Sequence, residues 1–370
     1  MNFKSMLIVL SHIIVFFCGV FALHYDIISL ALLRKNVYAL KSLLHDKDWA
    51  SKSLNIDIDI KKLDVQLNET LNRSVELRHI ISDRVLLPSD IMRVEKKWGA
   101  DSTFNITTKF YGIETRSVFA KKDSATCLIV YIQGHGGNPF DFSYHNTIRS
   151  ESISKGCDFI SMSMLGMGLN KNDVHFPRYD ITVYLPLQFA QNHLYYSYYK
   201  DSNYPNHDPI SLFLSGHYHT IASLIKDYEK VSILGISGGG WYSSWLSALI
   251  PEIDQTISYA GSLPLEYQLS IDQTRGNILD PGDWEQTISS VYHNIDYWDL
   301  YLLSTIDKQG RQSRRSHLVF NDRDSCCFRD PYASHFKSIV DSLSVSMPQI
   351  IIDKNDQHTM NPSLVNSILH

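Results

Sequence analysis

Val231-Ser232-Ile233-Leu234-Gly235-Ile236-Ser237-Gly238-Gly239 runs from a largely apolar stretch straight into a Gly-x-Ser-x-Gly pentapeptide. Gly239-Gly240-Trp241 then opens a helical pattern that continues to Leu249. A buried strand turning at once into a helix forces backbone against backbone. Glycine is therefore needed on both sides of a serine whose φ/ψ is strained. The helix start also directs N–H groups at developing negative charge. A phosphate-binding loop is excluded, because no Gly-Lys-Ser or Gly-Lys-Thr follows the glycines. Ser237 is the candidate nucleophile.

Outward from this turn the chain alternates strands and helices. Phe104 to Phe110 and Thr115 to Ala120 read as a strand pair around Tyr111-Gly112. Thr126 to Gln133, Phe159 to Met162, Val231 to Ile236 and Thr256 to Ala260 are continuous apolar runs, the pattern of strands covered on both faces. His317 to Phe320 and Gln349 to Ile352 complete the set. Helical stretches at about 141–155, 211–228, 239–249 and 295–306 lie between them, which predicts an α/β fold with a doubly wound, mostly parallel sheet. The interval 170–209 is rich in Tyr, Phe, His, Asn and Pro without sustained periodicity and reads as an inserted cap. Its Tyr195, Tyr196, Tyr198 and Tyr199 are candidates to line a pocket or simply to pack. Before the sheet, 24–100 reads as an accessory helical segment, with Ile60, Leu63, Leu67, Leu71 and Val75 on one packing stripe.

Chemistry at a serine needs oxyanion donors, a base and an acid. Gly238 supplies one N–H; Gln133-Gly134-His135-Gly136-Gly137-Asn138 ends a strand and offers Gly137 as the second. The base is expected after the last strand, where His358 stands. An acid is expected after the penultimate strand, where Asp324 leaves room for a turn and Asp322 is the runner-up, ahead of Asp330 and Asp356. His217 and His219 point apart on one helix and read as surface or cap residues. Cys127 and Cys157 precede two predicted parallel strands and are able to pair in an oxidising compartment, while adjacent Cys326 and Cys327 lack zinc-ligand spacing. No metal and no cofactor is expected.

The order Ser237, Asp324, His358, with His135-Gly136-Gly137 upstream, resembles the α/β-hydrolase superfamily over about 101–370. The resemblance implies attack of Ser237 on a carbonyl to give an acyl-enzyme that water then cleaves, with a small-molecule or polymer-linked ester as substrate and cleavage of a carboxylic ester as the first expectation. Peptide cleavage, as in prolyl-oligopeptidase-like members, and a catalytically silent exported binding protein are the alternatives. Asn321 departs from the pattern, standing where glycine is often seen before the acid loop.

Across 370 residues, 44% hydrophobic and 20% charged composition describes a globular chain, and a net charge of −5 argues against nucleic-acid binding. Met6 to Leu23 contains no Asp, Glu, Lys or Arg and follows Lys4. Residues 1–23 therefore read as an export signal or membrane anchor, attaching through 6–23, with the catalytic domain outside the cytoplasm.

Overall fold

Strand β4 (Cys127–Gln133) sits between two parallel neighbours, β5 (Cys157–Ser163) and β8 (Lys230–Ile236), and both its faces are covered. That position explains its nearly unbroken apolar sequence. The computed structural model describes residues 56–98, 103–110, 113–170, 174–176, 181–183, 210–268, 284–287, 290–324 and 326–369. The expected leader at 1–23, residues 24–55 and most of the expected cap, including Tyr195, Tyr196, Tyr198 and Tyr199, lie outside them. Within the cap interval, β6 (Val174–Phe176) pairs antiparallel with β7 (Ile181–Val183).

Nine strands form the main sheet in the order β1 (Arg93–Trp98), β2 (Thr103–Phe110), β3 (Ile113–Ala120), β5, β4, β8, β9 (Gln255–Tyr259), β10 (Arg315–Asn321) and β11 (Gln349–Asp353). The first three are antiparallel, β3 meets β5 antiparallel, and every pairing from β5 to β11 is parallel. The expected doubly wound, mostly parallel sheet is present. The described α-helices are α1 (Ile60–Asn72), α2 (Ser74–Val85), α3 (Ser143–Ser154), α4 (Ile210–Ala222), α5 (Gly238–Leu249), α6 (Trp284–Thr287), α7 (Tyr297–Leu303), α8 (Tyr332–Val340) and α9 (Pro362–Ile368).

Among the described residues of the 24–100 segment, the α-helices run to Val85 and are followed by β1, an unexpected strand that extends the sheet. Arg93-Val94-Glu95-Lys96-Lys97 suits a solvated edge, where charges discourage further pairing, and those charges hide the alternation that marks a strand. The apolar stripe at 60–75 also breaks. Helix α1, capped by Asp59 accepting the Lys62 N–H, buries Leu63 and Leu67, but it ends at Asn72, and Val75 on α2 is 42% exposed. Buried Arg78 docks α2 by donating to the carbonyls of Ala248, Leu303 and Ile306.

Cys127 and Cys157 are register partners at the start of β4 and β5 and form a disulfide. His217 corrects the surface expectation: it is fully buried on α4, its Nε2–H donates to Ser163 O at 2.8 Å, and burial lowers its pKa to about 4. The apolar run around it hid a polar contact made across the fold. His219, half-buried, bonds Leu87 O at 3.2 Å on a different side.

Candidate active site

Ser237 occupies the single residue between β8 and α5 with φ 57° and ψ −132°, a left-handed backbone that ordinarily costs a non-glycine residue about 1–3 kcal/mol. Its surroundings hold it there. The Ser237 N–H donates to Tyr259 O at 2.9 Å, and Ser237 O accepts from Gly240 N–H at 2.8 Å and Trp241 N–H at 3.1 Å. The flanking glycines are required by close approach: a Cβ on Gly235 would lie 2.2 Å from Gly239 O, and one on Gly239 would lie 2.0 Å from Ile132 O on β4. The turn thus sits at the carboxyl edge of the two central strands, with the twelve-residue helix α5 starting at Gly238.

The loop after β4 lies directly against this turn. A Cβ on Gly134 would fall 2.6 Å from Ser237 Cβ and 2.9 Å from Gly238 N. His135 follows, its Cε1 only 2.9 Å from where a Gly238 Cβ would stand. Gly137, the residue expected to give the second oxyanion donor, turns the loop at φ 107°; its N–H donates to Gly134 O at 3.3 Å and its carbonyl accepts from Ser163 Oγ. The N–H of Gly137 bonds within the loop, and Gly134 is the loop residue whose Cβ position would meet Ser237 and Gly238. Glu285 on α6 is fully buried with Oε1 3.3 Å from His135 Nε2. Nothing in Asp283-Trp284-Glu285-Gln286 sets that carboxylate apart in the sequence, since only the fold brings it to the loop.

His358 and Asp324 come together as expected. His358 Nδ1 lies 3.0 and 2.9 Å from the two carboxylate oxygens of Asp324. Asp324 is fully buried, and burial alone would raise its carboxyl. The hydrogen bond and charge of His358 and the N–H donors of Cys326 and Cys327, at 2.7 and 3.0 Å on Oδ1, outweigh that and hold it below the usual range. Asp322 instead accepts the Asn355 N–H at 3.0 Å, Asp330 binds Ser334, and Asp356 accepts from Gln357. Asn321, the departure from the family pattern, has a use: its Nδ2 donates to Asp324 Oδ2, Gln357 O and Thr359 O, tying the acid loop to the base loop. Tyr259 OH donates to Asp353 Oδ2 at 2.6 Å and also lies 3.0 Å from Asn321 Oδ1, which places both beside the sheet.

His358 Nε2 is buried without a hydrogen-bond partner among the described residues, so it is not bonded to Ser237 Oγ in this structure. Such bonds are often long before substrate binds. Cys326 and Cys327 form a disulfide with each other, and their sulfurs and a His358 ring nitrogen all lie within 4.8 Å of one another.

Counted from β2, the sheet order is first, second, fourth, third, then fifth to eighth, with only the second strand antiparallel to its parallel neighbours. Ser237 follows the fifth strand, Asp324 the seventh and His358 the eighth. The chain has the α/β-hydrolase fold. In enzymes of that fold a nucleophilic serine stands at the strand-to-helix elbow and an acid and a histidine follow in chain order, the positions that Ser237, Asp324 and His358 occupy here.

Neither a protein-family model nor a curated protein matches the sequence. Among solved structures, acetyl xylan esterase 1 from Thermoanaerobacterium sp. JW/SL YS485 is similar over 84% of this chain and 98% of its own, at 15% identity and a TM-score of 0.47. Est1E from Butyrivibrio proteoclasticus is similar over 71% of this chain and 94% of its own, at 12% identity and 0.45. The acylaminoacyl peptidase of Pyrococcus horikoshii is similar over 72% of this chain and 38% of its own, at 14% identity and 0.41. At such identities and scores these likenesses carry no argument about substrate, and the fold rests on strand order and elbow.

Proposed function

We propose that this α/β-hydrolase is a serine hydrolase that cleaves a carboxylic ester through an acyl-enzyme on Ser237. The observation that carries the reading is the buried Asp324 bonded to His358 Nδ1, which leaves Nε2 as the nitrogen for proton transfer. His358 takes the Ser237 proton as Oγ attacks the carbonyl, then gives it to the leaving alcohol; a water repeats the sequence to release the acid. Asp324, ionised, orients the ring and offsets the charge of the imidazolium. Gly238 N–H at the start of α5 is the first oxyanion donor. The contact of Gly134 with Ser237 supports His135 N–H as the second, in place of Gly137. Each such donor is worth about 3 to 4 kcal/mol of transition-state stabilisation.

Two disulfides support an oxidising compartment, in keeping with export through residues 1–23. Among the described residues no helix is long and apolar enough to cross a membrane. Hydrolysis of p-nitrophenyl esters across acyl lengths tests the proposal: activity in the wild type, lost in Ser237→Ala and His358→Ala, is expected, and a profile falling from acetyl to longer chains would narrow the acyl group. A folded wild type inert to every ester would instead fit the silent binding protein.

A further inference from the structure

Beside the acid and base stand two groups that the ester mechanism does not use, the sulfurs of Cys326 and Cys327. Their backbone N–H groups both donate to Asp324 Oδ1, so the carboxylate that orients His358 also pins the turn presenting the sulfurs. Both sulfurs and a His358 ring nitrogen already lie within 4.8 Å of one another. Donors about 2.0–2.3 Å from a tetrahedral zinc stand roughly 3.3–3.8 Å apart, so small side-chain movements would bring all three to one ion. Cys326 is exposed, open to a reductant, whereas Cys157 of the other disulfide is buried.

We propose that reduction of the Cys326–Cys327 disulfide creates a metal site, made of the two thiolates and His358, for a thiophilic divalent cation such as Zn²⁺. An exposed disulfide is opened by a dithiol: its thiolates displace the two sulfurs in turn, two electrons pass to Cys326 and Cys327, and the dithiol closes to its own disulfide. Binding then expels the two thiol protons and takes one imidazole nitrogen. Whichever nitrogen it takes, His358 loses either its bond to Asp324 or its access to Ser237. The metal therefore inhibits rather than assists. Adjacent cysteines and only three protein ligands distinguish the site from closed structural zinc sites, whose cysteines are spaced and whose coordination is complete; the ion here is exchangeable. The inhibition rests on the proposed hydrolase, but the binding does not.

The full chain, reduced with a phosphine and freed of it under nitrogen, is titrated with Co²⁺. The expected result is one Co²⁺ per chain with a sulfur-to-cobalt charge-transfer band, displaced by Zn²⁺ and weakened in Cys326→Ser and in Cys327→Ser. Zinc at one equivalent lowers ester turnover of the reduced wild type roughly tenfold or more and leaves the oxidised wild type unaffected, because the disulfide sulfurs are not thiolates. Thiol titration verifies that the pair is open. Free thiols with no charge-transfer band would overturn the site, as would equal inhibition of oxidised and reduced protein. A chain that binds cobalt through sulfur yet never hydrolyses an ester would keep the site and remove the hydrolase.

Discussion

Replacing Gly134 by alanine probes the oxyanion geometry most sharply. The new methyl would stand 2.5 Å from Ile236 O, 2.6 Å from Ser237 Cβ and 2.9 Å from Gly238 N, all backbone or nearly so, with no flexible chain end to yield. Comfortable carbon contacts begin near 3.5 Å, so the loop must retreat by about 1 Å. A shift of that size at reacting groups costs on the order of 10²-fold, and loss of one oxyanion donor costs about 10²–10³ in kcat. Overpacking destabilises by about 1–3 kcal/mol, which leaves a domain of ordinary stability folded. Gly137→Ala is the control. Nothing lies within 4 Å of its Cβ, and only the strain of φ 107° is added, about 1–3 kcal/mol of stability. The assay is p-nitrophenyl acetate hydrolysis beside thermal unfolding. Gly134→Ala is expected to lose kcat by two orders of magnitude or more, with Gly137→Ala within roughly tenfold of wild type. Wild-type kcat in Gly134→Ala, or equal losses in both, would refute the placement of the second donor.

Asp324→Asn should lower kcat by about 10⁴ by letting the imidazole take the wrong tautomer, while Asp322→Asn, whose carboxylate meets the Asn355 N–H and the Arg323 guanidinium, stays within roughly tenfold. The reverse ranking in ester turnover would move the acid to Asp322. Asp299 on α7, raised to about 7 by burial and then by the nearby charge of Asp296, predicts a stability that depends on pH. Between its ordinary value of 3.8 and about 7 the folded chain holds a proton that the unfolded chain has released, so stability falls as pH rises through that window and the deficit is complete above it. Asp299→Asn keeps an acceptor for Thr70 Oγ1 and should gain up to a few kcal/mol on the wild type at pH 8 relative to pH 4. Urea unfolding at both pH values checks it, and a pH-independent difference would remove Asp299 as the cause.

The parts of the fold legible in the sequence are those decided by local pattern. Strands buried on both faces, such as Cys127–Gln133 and Lys230–Ile236, announce themselves by nearly continuous apolar sequence, and the Ser237 elbow does so because Gly235 and Gly239 crowd each other across one tight turn. Asp324 and His358 followed from chain order. What stayed hidden depends on contacts between distant segments. The charged β1 reads as solvent-facing chain until β2 is beside it. Asn321 looks like a defect in the acid loop until the carbonyls of Gln357 and Thr359 arrive to accept from it. The bond from Gly137 N–H to Gly134 O is likewise a property of the folded turn.

Covalent labelling of the folded wild type with a fluorophosphonate, followed by peptide mapping, tests the assignment of Ser237 most directly. The elbow and the Asp324–His358 pair predict one adduct per chain on the peptide carrying Ser237, absent in Ser237→Ala and slowed strongly in His358→Ala. A folded wild type that takes no label, or takes it on another residue, would contradict a serine nucleophile at this turn.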